Sequence, residues 1–251
     1  MIYVCIPSFD EGPTVGLVLW KIRKVFEEFP REYQILVMDD GSTDQTSALL
    51  EPYAKVLPLT VVRHPSRKGY ASSVDELLNL ALERTDRPRR DSAILMHADF
   101  SHGPEFLPDF VRRLESGADL VVGEATLAGE PSRSHRLVRR WAPMLLRRAV
   151  RVSGVQDTVS GFVAFRLQTL KNALRGPGAT RLVAEGWATN AELIGRAAQH
   201  ARRIETVSVV ERHDLRQRDS RVDPWQTARR IWRAGGSIRI TPGRPAEEST
   251  G

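Results

Sequence analysis

Along the first two thirds of the chain, short continuous apolar runs alternate with longer segments whose apolar residues recur every three or four positions. The first pattern predicts buried strands and the second predicts helices with one apolar face. Strands are predicted at Ile2 to Ile6, Gln34 to Met38, Leu59 to Arg63, Ala93 to His97 and Asp119 to Gly123. Helices are predicted at about Pro13 to Glu28, Asp44 to Tyr53, Lys68 to Arg84 and Pro104 to Ser116, each opened by a Pro, Asp, Ser or Thr signal. A βαβαβα series of this kind belongs to an α/β fold with a mostly parallel central sheet and helices on both faces.

The pattern changes at about Gly129. From Pro131 to Arg151 there are seven arginines and no acidic residue, while Leu137, Val138, Trp141, Leu145 and Ala149 recur at helical spacing, which predicts a basic amphipathic helix. Beyond it the periodicity predicts a strand at Val163 to Arg166, a helix at Trp187 to His200 and a strand at Ile204 to Val210. A last helix opened by Asp223 and Pro224 runs to Ala234. The expected organisation is one main domain over residues 1–210, an appendage over 211–234 and a disordered tail over 235–251.

With 251 residues, 41% apolar and 27% charged, the chain has enough apolar material for a packed core, and disorder is excluded for most of it. No apolar run approaches the roughly 18 residues of a membrane-spanning helix. The run from Ile2 to Ile6 before Pro7 is too short for a secretory signal, so the chain is expected to be soluble and cytoplasmic. Cys5 is the only cysteine, which excludes an internal disulfide and a cysteine-based zinc site. Lys and Arg outnumber Asp and Glu by 37 to 31, and only five of the cations are Lys. Arginine carries a fork of donors suited to phosphate or carboxylate, although genomic base composition also produces such an excess.

In open α/β sheets, ligands sit beyond the carboxyl ends of the strands. There the chain places Pro7, Ser8, Phe9, Asp10 and Glu11; then Asp39, Asp40, Gly41 and Ser42; then Arg63, His64, Arg67, Lys68 and Gly69; then His97, Asp99, Ser101 and His102. The P-loop and G-x-G-x-x-G patterns are absent, which argues against a P-loop nucleotidase or a dinucleotide-binding dehydrogenase. Adjacent carboxylates at Asp39 and Asp40 repel, and hydrogen bonds from a base or ribose, or a cation, relieve this; the alternative is that Asp40 or Ser42 only makes a turn and caps the next helix. His97, Asp99 and Ser101 point the same way if the extended conformation continues, and a carboxylate beside an imidazole suits a divalent cation. The alternative for His97 is a packed or hydrogen-bonded core residue.

Seven stretches in order, IPSFDEG (6–12), VMDDGSTDQT (37–46), RKGYASSV (67–74), HADFSHGPE (97–105), DTVSGFVAFR (157–166), EGWATNAEL (185–193) and RQRDSR (216–221), resemble the family 2 glycosyltransferases of the GT-A fold. Within that family they resemble the dolichol-phosphate and polyprenol-phosphate mannose synthases. The resemblance covers about residues 2–222 and implies a GT-A catalytic domain. It implies a nucleotide-sugar site made by Pro7, Glu11, Asp39, Asp40, Lys68, Gly69 and Ala98. It places the metal at Asp99, with His97 and Ser101, where the family carries Asp-x-Asp and this chain reads His97-Ala98-Asp99. Mg²⁺ or Mn²⁺ is the implied cofactor. The acceptor phosphate falls to Arg140, Ser160, Arg166, Arg216, Ser220 and Arg221, and Asp99, Arg140, Arg216 and Arg221 are the implied catalytic set. Against the family pattern, Asp10 stands for Asn, Glu124 and Ala125 follow Gly123 where Ser and Arg are usual, Val163 replaces an arginine and Arg218 a glycine.

The implied reaction is inverting transfer of a hexose, mannose favoured, from a nucleotide-diphosphate sugar such as GDP-mannose to a polyprenyl phosphate. A phosphate acceptor is already ionised, so orientation and charge screening matter more than a strong base. The basic helix at Pro131 to Arg151 implies contact with an anionic membrane surface, peripheral at the inner face, or else a membrane-anchored partner holds the chain. A soluble acceptor would instead require a general base, with Asp157 or Glu185 as candidates. A nucleotide-sugar-binding protein without catalysis is a further alternative, motivated by His97, Ala125 and Val163. Nucleic acid is not expected as a partner, because the basic helix interleaves no aromatic except Trp141 and the acidic strand ends would have no role.

Overall fold

The computed structural model describes residues 1–128, 141, 146 and 150–212. Among them seven strands form one sheet: β1 (Ile2–Ser8), β2 (Tyr33–Asp39), β3 (Leu59–Arg63), β4 (Ser92–Leu95), β5 (Leu120–Ala128), β6 (Val163–Arg166) and β7 (Ile204–Arg212), in the order β3-β2-β1-β4-β6-β5-β7. The helices are α1 (Gly12–Glu28), α2 (Thr46–Ala54), α3 (Tyr70–Arg84), α4 (Leu107–Glu115), α5 (Leu167–Arg175) and α6 (Trp187–Ala198).

Side chains alternate across each strand, and both faces are apolar, so the sheet carries a core on each side. Val4, Ile6, Val37 and Ile94 pack with Val18, Leu19 and Ile22 of α1 and Phe110 of α4. Cys5, Leu36, Met38 and Leu95 face the other way, onto Val74, Leu77 and Leu78 of α3, Leu170 of α5 and Leu193 of α6. A smaller cluster joins Leu146, Val150 and Val159 to Ala184, Ala188 and Ala191.

The α/β class and the mostly parallel sheet agree with the periodicity, and the bounds of β3 and β6 coincide with the predicted ones. Two features were not predicted. The short helix α5 follows β6 directly, although Leu167, Leu170 and Leu174 already recur at helical spacing. And β6 runs antiparallel to both β4 and β5. The predicted helices at Pro131 to Arg151 and Asp223 to Ala234, with Arg140, Arg216, Ser220 and Arg221, lie outside the described residues except for isolated positions such as Trp141 and Leu146. Among the described residues, no helix is long and apolar enough to cross a membrane.

The reversal of β6 relocates one expected site residue. Val163 at its start pairs with Leu95 at the carboxyl end of β4, whereas Arg166 at its end pairs with Ser92 at the amino end. Arg166 therefore sits at the pole of the sheet opposite the other candidates. Its guanidinium donates to the carbonyls of Arg89 (3.0 Å), Ala118 (3.0 Å) and Leu114 and lies 3.4 Å from Asp119. These bonds make it a strut between loops and do not leave it facing an acceptor phosphate. Removing it orphans partly buried carbonyls, so Arg166→Met is expected to lower unfolding stability by about 1–3 kcal/mol in denaturant titration.

Candidate active site

The parallel strands β1 to β4 end at Ser8, Asp39, Arg63 and Leu95, all at one pole. Asp39 and Asp40 resolve their mutual repulsion by turning to different loops. Fully buried Asp39 serves its own turn: Oδ1 accepts the Ser42 N–H at 2.9 Å, and Oδ2 accepts the Ser47 hydroxyl and faces the Arg63 guanidinium at 3.5 Å. Asp40 serves the loop after β3. Its Oδ1 accepts the Lys68 N–H at 2.8 Å and meets His64 Nδ1 at 2.7 Å, and its Oδ2 accepts the Gly69 N–H at 2.8 Å. These bonds stop α3 from beginning at Lys68; the helix starts at Tyr70, after Gly69 at φ 101°. His64 Nε2 reaches Glu76 of α3 at 2.9 Å, and Glu76 also receives Lys68 Nζ and the Ser72 hydroxyl, each at 3.1 Å. Burial alone would raise the Glu76 carboxyl, but His64, Lys68 and Ser72 hold it below its ordinary range.

The loop after β1 closes onto the loop after β2. Asp10 adopts φ 50°, a conformation Asp tolerates, and its Oδ1 accepts the N–H of Thr43 at 2.7 Å and of Asp44 at 3.3 Å. Glu11 precedes α1, donates its N–H to the Thr46 hydroxyl at 2.8 Å and accepts the Thr14 hydroxyl at 3.2 Å. Pro7 is buried within β1, opposite Met38. Gly41 takes φ 69° with the Ser66–Arg67 backbone so near that a Cβ would lie 2.7 Å from it, so only glycine fits. Above this contact Arg67 lies 4.2 Å from the Phe9 ring centroid, a cation–π pair joining the first and third loops.

At the end of β4 the strand stops at Leu95, so simple alternation does not carry through His97, Asp99 and Ser101. The chain bends through 98–101, with Phe100 at φ 60°. The Ala98 side chain enters the core, so only its backbone is available to a ligand. Asp99 is buried and its Oδ1 accepts the Ser101 N–H at 3.0 Å, while the Ser101 hydroxyl lies 3.3 Å from His102 Nδ1. The reversal of β6 brings its amino end to the same pole. Ahead of it, Asp157 Oδ1 accepts the N–H groups of Val159 and Ser160, both at 3.1 Å, and the Ser160 hydroxyl accepts the Phe162 N–H at 3.2 Å. Gly161 lies directly against His97: a Cβ there would sit 1.9 Å from His97 Nε2.

Thus Pro7, Glu11, Asp39, Asp40, Lys68 and Gly69 form one side of the pole, and His97, Asp99, Ser101 and Ser160 belong to the β4–β6 side. Among the described residues, no group of three or more His, Cys, Asp and Glu side chains is arranged to hold a metal ion. Asp99 with an imidazole two residues away supplies part of a ligand set, which fits an ion completed by diphosphate oxygens and water. Sequence reasoning did not single out Tyr70 or Asn190, although both stand inside the motif stretches; their link is long-range, with the Tyr70 hydroxyl donating to Asn190 Oδ1 at 2.9 Å.

A mostly parallel sheet with its polar loops gathered at the carboxyl pole defines an α/β protein with its candidate site at that pole, and residues 3–174 match the family described as Glycosyl transferase family 2. The chain belongs to that family and is a glycosyltransferase. It is 26% identical over 254 residues to a polyprenol monophosphomannose synthase of Mycolicibacterium smegmatis, covering 94% of this chain and 91% of that protein. It is 25% identical over 187 residues to a dolichol-phosphate mannosyltransferase of Pyrococcus furiosus, covering 72% of this chain but only about half, 51%, of that relative. Among solved structures, glucosyl-3-phosphoglycerate synthase of Mycobacterium tuberculosis in complex with Mn²⁺, UDP and glucosyl-3-phosphoglycerate shares the fold at TM-score 0.61 and 19% identity, covering 94% of this chain and 80% of that one.

The Gly161–His97 contact is testable by suppression. Gly161→Ala is expected to destabilise the protein by about 1–3 kcal/mol through overpacking. Combining it with His97→Ala, which removes the clashing ring, should cost less than the two single changes added together, as measured by thermal or denaturant unfolding.

Proposed function

We propose that the chain moves a hexosyl group, mannose first among candidates, from a nucleotide-diphosphate sugar to a polyprenyl phosphate with inversion. The observation that carries this reading is the similarity to the polyprenol monophosphomannose synthase, which extends over nearly the whole of both chains. The pole described above supports it: the loops on the β1–β3 side, with Asp40 holding the Lys68–Gly69 backbone, suit a base and ribose, and Asp99 is proposed to face the diphosphate. A divalent cation bound there supplies charge neutralisation as the glycosidic bond breaks. In this reading Asp99 orients the leaving diphosphate, Lys68 and the Gly69 backbone line the nucleotide wall, and Ser160 shapes the turn facing the sugar. Arg140, Arg216, Ser220 and Arg221, outside the described residues, are proposed to grip the acceptor phosphate through charge-assisted bonds. The donor is proposed to be GDP-mannose, and an anionic membrane surface to present the lipid.

A second reading, transfer to a soluble phosphorylated acceptor, is favoured by one feature. A cavity of about 570 Å³ opens between the start of α3 and the loop before α6, lined by Arg67, Lys68 and Arg181 together with Asp75 and Glu185. It is large enough for a small anionic molecule, and of the two candidate bases it is Glu185 that lines it. Labelled hexose offered as GDP-mannose and as UDP-glucose, with Mn²⁺ or Mg²⁺, decides between them. Lipid-linked product with a short polyprenyl phosphate is expected, and Asp99→Asn should lower its rate by about 10²–10³-fold. Product formed only on a soluble phosphorylated acceptor, with loss on Glu185→Gln, would establish the second reading instead.

A further inference from the structure

His97 occupies a slot whose walls come from two separate parts of the chain. On one side lies the Tyr70 ring, parallel within 4° at a centroid distance of 5.7 Å, an offset stack. Against its edge lies Gly161, whose missing side chain leaves room for the Nε2 atom of the imidazole. Both walls are tied to one residue. Asn190 of α6 is fully buried, donates Nδ2–H to the Val159 carbonyl at 3.0 Å and accepts the Tyr70 hydroxyl on Oδ1 at 2.9 Å. Its orientation is unambiguous, because the Val159 carbonyl can only accept and so must face the amide nitrogen. The Tyr70 hydroxyl must then be the donor. Burial pushes the phenol up, with the Asn190 bond opposing and the Asp99 charge adding, so the proton stays on the hydroxyl.

We propose that Tyr70 and Asn190 are positioning residues for His97, and that they hold its imidazole as the working partner of Asp99 at the diphosphate pole. The slot fits an aromatic ring. An aspartate at 97 would abandon the Tyr70 stack and fall short of Gly161, so the histidine is a built component of this site and not a damaged acid. The role given to the pole rests on the nucleotide-sugar reading above; the slot itself does not. Groups that orient a ligand side chain from behind commonly contribute about ten- to a hundredfold in ion affinity.

Two measurements on the full chain test this. The first is the His97 ring resonance in the free protein, assigned with His97→Ala and recorded for Tyr70→Phe, Tyr70→Ala and Asn190→Leu. The second is calorimetric binding of UDP and GDP with Mn²⁺, with Mg²⁺ and with chelator. The ring signal is expected to shift in Tyr70→Ala and Asn190→Leu and to shift less in Tyr70→Phe, which keeps the stack. Ion-dependent nucleotide affinity should fall about ten- to a hundredfold in the first two and not in chelator, and the fall should vanish in the His97→Ala background. An unmoved ring signal overturns the proposal. So does an equal loss with and without ion, or a loss that persists without His97. A shifted ring in a protein that binds no nucleotide would leave the positioning intact and refute the nucleotide-sugar reading. If the larger changes do not fold, Tyr70→Phe decides, because it removes the bond to Asn190 alone: a small ring shift with a small ion-dependent loss of affinity supports the proposal, and an unmoved ring signal overturns it.

Discussion

The Asp40 carboxylate joins the sheet to the wall of the crevice. Its two oxygens hold the backbone of Lys68 and Gly69 and the ring of His64, so the end of β2 dictates where the β3–α3 loop runs and where α3 begins. Everything that α3 presents to the pole follows: Lys68 and Glu76 at its shoulder, and Tyr70 against His97. Charge-assisted bonds to backbone N–H groups are among the stronger links available to a loop, and here two of them, joined by the His64 ring, converge on one buried acid. The neighbouring Asp39 stays available to its own turn because Asp40 faces away.

The far side of the pole depends on a topological device. Because β6 enters antiparallel between β4 and β5, its amino end meets the carboxyl ends of the others. The turn at 157–162 thereby reaches His97, and Arg166 is carried to the opposite pole. Close approach is possible only where side chains are absent, at Gly41 under the Ser66–Arg67 backbone and at Gly161 against His97. The two glycines set how near the loops come, and the polar residues around them set what the space between can bind.

Much of this was legible in the sequence, for physical reasons. Short continuous apolar runs marked β1, β2 and β3 and even the limits of β6, and acids at strand ends marked Asp39, Asp40 and Asp99. Strand direction was not legible. A four-residue run such as Val163–Arg166 does not say which way it will run, so the sequence did not show that Arg166 would pair with Ser92 at the amino end of β4. The partners of Asp40 were also hidden. The sequence shows two repelling carboxylates and leaves open a ligand or a turn; the fold relieves them with Ser42, Ser47 and Arg63 on one side and His64, Lys68 and Gly69 on the other. Tyr70 and Asn190 are 120 positions apart, and no periodicity encodes a bond of that span.

The central claim, that Asp40 acts on the proposed nucleotide site through the loop it holds, is tested most directly with Asp40→Asn. Amide exchange at Lys68 and Gly69 and nucleoside-diphosphate affinity are measured on the same preparation. An asparagine keeps the size but loses the charge that both amides share, so exchange at the two positions should quicken and affinity should fall together, while core amides of β1 and β2 stay protected. Unchanged protection at Lys68 and Gly69 with a fall in affinity would contradict the account and make Asp40 a direct ligand contact.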